Sequence, residues 1–385
     1  MEYKKEKSKF KNNEFENKEF KNDEFINENE LILELCKFKY ADKNKLTDLT
    51  DKNLNYPYIL GQLFYNRTAA MAYFALKSNG LLSKVNREFR NSVKAIYEYN
   101  LNKTNSFIYA LGLFKKICKE FDFPYAFLKG AYLAELYPKG LRTSNDVDIL
   151  IEPKNITKLS GILKRNGFLQ GEIKNEVFAP AKREKIISSR INRGETVPFV
   201  KEVNLPGLKY LEIDVNFSLD FKPESGTEEK SIVSEFLNCT EPLILNQIHT
   251  LKKSYFLMHL CAHLYKEATV ISWVNMGRDI SLYKYCDIYL FLKEFLNEEF
   301  LTDTANDINR LKLNKECYYT LFNTKLLFNI KNNKLLDELL KKIKPENTEF
   351  MNCISDPENR KTYTYNMDYK NWVFCGKRKE NIYEA

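Results

Sequence analysis

The chain has 385 residues, 44% of them hydrophobic, with 60 Lys and Arg against 52 Asp and Glu, a formal net charge of +8. That length allows two domains with cores of their own, and the mild positive excess favours anionic ligands such as triphosphates or RNA. No apolar run reaches spanning length and no N-terminal apolar segment resembles a signal peptide, so the expectation is a soluble cytoplasmic protein with no membrane partner. The eight cysteines are scattered without a Cys-x-x-Cys pair, which predicts reduced, mostly buried thiols and argues against structural zinc.

Residues 1–30 are of low complexity, with Phe10, Phe15, Phe20 and Phe25 recurring among Lys, Asn and Glu. A spacing of five matches neither the strand period of two nor the helical 3.6, so no face becomes apolar and a disordered tail is expected. Residues 31–121 read as a helical N-terminal region, since stretches such as Tyr58–Leu82 and Asn105–Phe121 place aliphatic and aromatic residues at helical spacing. These stripes are core, not cofactor boxes.

From Pro124 the pattern changes to α/β, and a catalytic core is expected over 122–225. Tyr125–Leu128 reads as a short buried strand, Gly130 as its turn, Ala131–Tyr137 as a helix and Asp146–Ile151 as the next strand. Thr157–Asn166 reads as a helix stopped by Gly167. Phe168–Glu172, Val177–Ala179 and Phe199–Val203 are shorter strand candidates, and Leu211–Phe217 alternates as a half-buried strand does. Residues 226–385 return to helices, notably Ser254–Glu267, Ile280–Phe295 and Leu335–Ile343.

The chemistry concentrates in three carboxylates. On a strand Asp146 and Asp148 point the same way, roughly 7 Å apart at Cα, while Val147, Ile149 and Ile151 point into a core. Two carboxylates buried side by side need a shared proton or a divalent cation. Asp214, on the later alternating strand, supplies a third; Glu212 shares its face and is the rival. Such a set is what two-metal phosphoryl or nucleotidyl transfer requires, with cations about 3.5–4 Å apart clamping the attacking and leaving oxygens. Near the metal facing the incoming hydroxyl, Asp214 is also placed to help remove its proton. The Gly130 turn lets backbone approach a phosphate, and Lys129, Arg142 and Ser144 are the side chains expected to contact it.

The string LKGAYLAELYP followed by LRTSNDVDILI resembles the DNA polymerase β-type nucleotidyltransferase superfamily, in particular its bacterial group of uncharacterised nucleotidyltransferases. The resemblance spans about residues 60–300 and implies an α+β fold, a small mixed sheet backed by helices, with helical N-terminal and C-terminal parts. It implies Asp146, Asp148 and Asp214 as catalytic metal ligands for two Mg²⁺ ions, with Mn²⁺ able to replace them, and an NTP as donor. It also implies a small-molecule or peptide acceptor; a related toxin branch acts on tRNA, so RNA is the alternative, and a kinase would use the same metal and triphosphate sites. A non-catalytic nucleotide-binding descendant would not need the third carboxylate. Two departures stand out. The superfamily's glycine-serine or glycine-glycine turn is Gly130-Ala131 here, which passes the serine's role to Ser144, and a histidine common two residues after the third carboxylate is Asn216.

Other candidates are weaker. His259 and His263 are spaced to share a helix face, but no third metal ligand accompanies them. His259 reads as a core or interface residue, His263 with Lys266 as a candidate for the cleft wall, and Asp287 as a residue that orients helices through a buried hydrogen bond. The basic run Lys182, Arg183, Lys185, Arg190 and Arg193 would attract anions if it lined the approach and is otherwise a solvated loop.

Overall fold

The computed structural model describes residues 25–192, 195–219, 230–244 and 247–385. The low-complexity residues before Phe25, and Arg193 of the basic run, lie outside them. Helix α1 (Ile26–Leu35) already begins within the stretch that the sequence reading assigns to a tail. Phe25 stacks on Tyr58 with ring centroids 4.0 Å apart, and the buried Glu28 accepts the Asn55 N–H at 2.8 Å. The period-five pattern therefore ends at a phenylalanine that is used.

Four more helices follow before the sheet: α2 (Lys43–Thr50), α3 (Tyr56–Tyr65), α4 (Ala69–Ser78) and the long α5 (Arg87–Ile117). Asn55 and Asn86 start α3 and α5 by accepting the N–H of Tyr58 and Phe89, which satisfies donors no helical carbonyl can reach. The buried side of α5, including Phe107, Leu111 and Phe114, packs towards the sheet, where Phe114 meets Phe127 edge-on at 5.1 Å.

The sheet is eight-stranded and mixed. Its strands are β1 (Tyr125–Phe127), β2 (Asp146–Ile151), β3 (Leu169–Lys174), β4 (Val177–Pro180), β5 (Phe199–Leu205), β6 (Leu208–Asn216), β7 (Thr240–Pro242) and β8 (His249–Leu251). They lie in the order β4-β3-β5-β6-β2-β1-β8-β7. β2 runs antiparallel to β1 and parallel to β6. Helix α6 (Gly130–Leu136) joins β1 towards β2, and α7 (Ile156–Arg165) follows β2. The stop at Gly167 is a left-handed turn, φ +85°, with the Phe168 N–H reaching back to Leu163 O at 3.0 Å.

The fold is α+β, a mixed sheet with helical flanks. Two elements differ from the sequence reading. The basic run after β4 is a helix, α8 (Arg183–Asn192), and not a loop. The sheet also takes β7 and β8 from beyond residue 225, because three-residue strands are too short to carry a readable alternation. After α9 (Lys230–Asn238) and the sheet edge come α10 (Lys253–Thr269), α11 (Ile271–Asn275), α12 (Leu282–Phe295), α13 (Glu298–Leu311), α14 (Asn314–Leu327) and α15 (Lys334–Ile343). A small sheet of β9 (Cys353–Asp356), β10 (Lys361–Thr364) and β11 (Tyr383–Glu384), with α16 (Tyr369–Phe374), closes the chain. The buried Arg378 holds this last part against the body through paired bonds to Asp279, at 2.7 and 2.9 Å. All eight cysteines are free, and among the described residues no helix is long and apolar enough to cross a membrane.

Candidate active site

Parallel pairing of β2 with β6 places Asp148 opposite Asp214 and Asp146 opposite Glu212. On both strands the alternate residues, Val147 and Ile149, Ile213 and Val215, are fully buried. The apolar pattern thus fixes which way the acids face. They open into a cleft of about 1270 Å³ that is walled by the sheet, by α10, by the turn at Arg67 and by the start of α12 at Tyr283.

Two of the carboxylates, Asp146 and Asp148, have orienting donors. Ser144 Oγ donates to Asp146 Oδ1 at 2.8 Å, Lys129 Nζ to Asp148 Oδ1 at 3.2 Å, and Asn216 Nδ2 to Asp148 Oδ1 at 3.4 Å. Burial, and after it the charges of Asp148, Asp146 and Glu195, push the Asp214 carboxyl up to about 8. Burial and Asp146 also raise Glu212. Among the described residues no three His, Cys, Asp or Glu side chains are gathered tightly enough to chelate an ion as they stand, since like charges repel and two of these carboxylates are turned onto Ser144 and Lys129. The donor set nonetheless fits divalent cations: hard oxygen ligands converge from adjacent strands, and their excess negative charge is what a cation relieves.

A pH dependence follows. Raised above its unfolded value, the Asp214 carboxyl takes up a proton on folding between about pH 4 and about pH 8, so its contribution is whole below about pH 4 and is lost as pH rises through about 8. The metal-free protein is expected to melt lower at about pH 8.5 than at about pH 6, and Asp214→Asn to flatten that difference. Added Mg²⁺ should raise the melting temperature more at the higher pH. A wild-type melt that rises over this range would contradict the assignment.

Lys129 occupies a positive-φ conformation, φ 35°, ahead of α6, which L residues adopt at a cost. Burial works against its charge, but Asp148, Glu267 and Asp146 outweigh it and hold the ammonium above its ordinary range. Gly130 is needed for space. A Cβ there would lie 2.6 Å from Ser144 Oγ and 3.0 Å from Ser144 Cβ. Gly130→Ala is therefore expected to cost about 1–3 kcal/mol of stability and to lower turnover at least tenfold, because Ser144 must give up its bond to Asp146. A melting curve beside a turnover measurement checks both, and unchanged turnover would separate Ser144 from the chemistry.

Arg142 lines the cleft, but its guanidinium is largely engaged. Nε faces Asp287 at 3.1 Å, Nη1 donates to Thr143 O at 2.7 Å, and the group lies 4.7 Å from the Tyr283 ring centroid. The fork expected for a phosphate is thus turned on Asp287 and Thr143. Asp287 also accepts from Tyr137 OH at 2.9 Å, so it ties α12 to the end of α6.

His259 and His263 both line the cleft from α10, with ring centroids 6.1 Å apart. Burial, followed by the charge of Lys129, lowers both, His263 to about 4, which leaves them neutral near pH 7. His263 contacts Glu267, which also meets Lys284. The basic run of α8 does not line the cleft: Lys185 pairs with Glu172, and Arg190 donates to Ser160. Sequence reasoning missed Arg67, Lys103, Trp273, Arg278, Tyr283 and Glu358, all on the cleft wall. They come from helices and turns scattered along the chain, Lys103 from within α5 and Trp273 from α11, where no local motif marks them.

On the sheet, then, Asp146 and Asp148 from β2 and Asp214 from the parallel β6 face one cleft beside the Lys129-Gly130 turn. Residues 54–329 match the family model described as uncharacterised nucleotidyltransferase, and the chain belongs to that family. No curated protein and no solved structure matches the chain. Membership makes it a transferase of the nucleotidyl class with an NTP substrate.

Proposed function

We propose that this chain is a metal-dependent enzyme that moves a nucleoside monophosphate from an NTP to a hydroxyl or phosphate oxygen on a small molecule or peptide. The acceptor oxygen bonds to the α-phosphorus, the bond from that phosphorus to the β-phosphate's bridging oxygen breaks, pyrophosphate leaves, and a hydroxyl acceptor releases its proton to water. The observation that carries the reading is the register that sets Asp148 against Asp214, with Asp146 two residues away on the same face.

Asp146, Asp148 and Asp214 would hold two Mg²⁺ or Mn²⁺ ions, whose chemistry is to neutralise phosphate oxygens and acidify an acceptor hydroxyl. The chain's own residues do the positioning. Ser144 and Lys129 orient Asp146 and Asp148 through the bonds at 2.8 and 3.2 Å. Gly130 keeps the backbone clear so that Ser144 can approach, and Asn216 steadies Asp148 without offering an acid or base. The neutral His259 and His263 add no positive charge that would compete for the carboxylates.

The test is incubation with each of four labelled NTPs, Mg²⁺ and a cell lysate split into small-molecule, peptide and RNA fractions. Label in the small-molecule or peptide fraction, with pyrophosphate released in equal amount, is the expected result. Label in RNA would move the acceptor to RNA. Transfer of the γ-label in place of the α-label would make the enzyme a kinase. No transfer to any fraction, with NTP still bound, would reduce the chain to a nucleotide-binding protein.

A further inference from the structure

We infer that Arg67, in the turn after α3, and Lys103, on α5, hold the polyphosphate chain of the donor nucleotide. This rests on the NTP reading above and extends it to residues outside the Lys-Gly turn and the carboxylate strands. Both line the cleft that contains Asp146, Asp148 and Asp214. Two other cations in that cleft are already engaged, Lys129 by Asp148 and Arg142 by Asp287. Among the described residues Arg67 and Lys103 have no ion pair and no side-chain hydrogen bond, although they stand close enough to feel each other. Burial, and after it the charge of Arg67, hold the Lys103 ammonium below its ordinary range against the pull of Asp146. Arg278 also lines the cleft without an ion pair, but nothing places it beside a second unpaired cation.

The position of Arg67 is fixed and costly. It sits at φ 57° just past the end of α3, where glycine would be the cheaper residue. The preceding Asn66 is buried and locks the turn against the start of α12, its Oδ1 accepting the Leu282 N–H at 2.9 Å. The Arg67 guanidinium lies 5.5 Å from the centroid of Tyr283, the ring that also carries Arg142. Arg67 and Arg142 thus share one ring, Lys103 feels the charge of Arg67, and two of these three cleft cations have no acid partner. Like charges held together in a partly desolvated cleft repel, and a polyphosphate is the anion whose repeated charge answers that arrangement.

Inorganic tripolyphosphate with Mg²⁺ is a probe independent of the base. Calorimetry on the full chain should show it binding wild type, with R67Q and K103Q each weakening it about tenfold or more. R67K and K103R should restore much of the loss, and R183Q, on α8 away from the cleft, should change little. Melting curves for every variant establish that it is folded. Wild-type affinity in folded R67Q and K103Q would overturn the inference while leaving the NTP reading intact. An equal loss in R183Q would also overturn it, since the effect would then be one of net charge. Failure of wild type to bind either tripolyphosphate or any of the four NTPs would overturn both readings.

Discussion

Asp146→Asn and Asp148→Asn are each expected to abolish nucleotidyl transfer, because either removes a carboxylate from a set whose charge no neighbour can replace. Loss of several kcal/mol of transition-state stabilisation lowers turnover by about 10³ or more, and either variant retaining above about a tenth of wild-type turnover would exclude the role. Their stabilities should separate. Asp146 is held by a neutral donor, Ser144, so its replacement relieves repulsion and leaves the metal-free melt equal or higher. Asp148 is the ion-pair partner of the largely buried Lys129, so Asp148→Asn relieves repulsion with Asp214 but removes the nearest charge that holds that ammonium, and its melt should fall below that of Asp146→Asn. Glu212→Gln should remain active. A dead Glu212→Gln beside an active Asp214→Asn would move the third ligand two residues back along β6.

Asp287→Leu is expected to give the largest loss of stability of any cleft-side substitution, about 3–5 kcal/mol, since it leaves Arg142 without its buried partner. Asp287 is 3% exposed and receives both Arg142 and Tyr137. The cost lies in the stranded charge more than in the lost attraction. Adding Arg142→Met to Asp287→Leu should therefore recover a large part of the stability, which chemical denaturation of the two single variants and the double would measure. Additive losses would show that the pair acts as two independent packing residues.

The carboxylate strands were legible because two signals coincide there: period-two alternation, and acids at positions where alternation permits only one face. Asp146–Ile151 begins and ends as its sequence implies, and Leu211–Phe217 falls on β6 with an earlier start at Leu208. The cleft opposite was not legible. Arg67 follows a helix end, Lys103 sits within α5, and Glu358 lies in the turn between β9 and β10. Their neighbourhood exists only after helices far apart in sequence have packed. Arg142 shows the opposite failure: its place beside the motif suggested a phosphate ligand, whereas tertiary packing gives most of its guanidinium to Asp287 and Thr143.

The parallel register of β2 and β6 ties the assembly of the three-aspartate cluster to the folding of the sheet. A slip of one residue would turn Asp214 into the apolar layer and bring Ile213 or Val215 to the cleft, so a chain that buries its core correctly has also brought its acids together. Between these two strands the chain makes an excursion through α7, β3, β4, α8 and β5 and returns to pair directly with β2. That excursion hangs from the outer side of β6, where insertions can lengthen or reshape it without moving Asp148 from Asp214. The rim on that side can therefore vary while the pairing that sets Asp148 against Asp214 is kept.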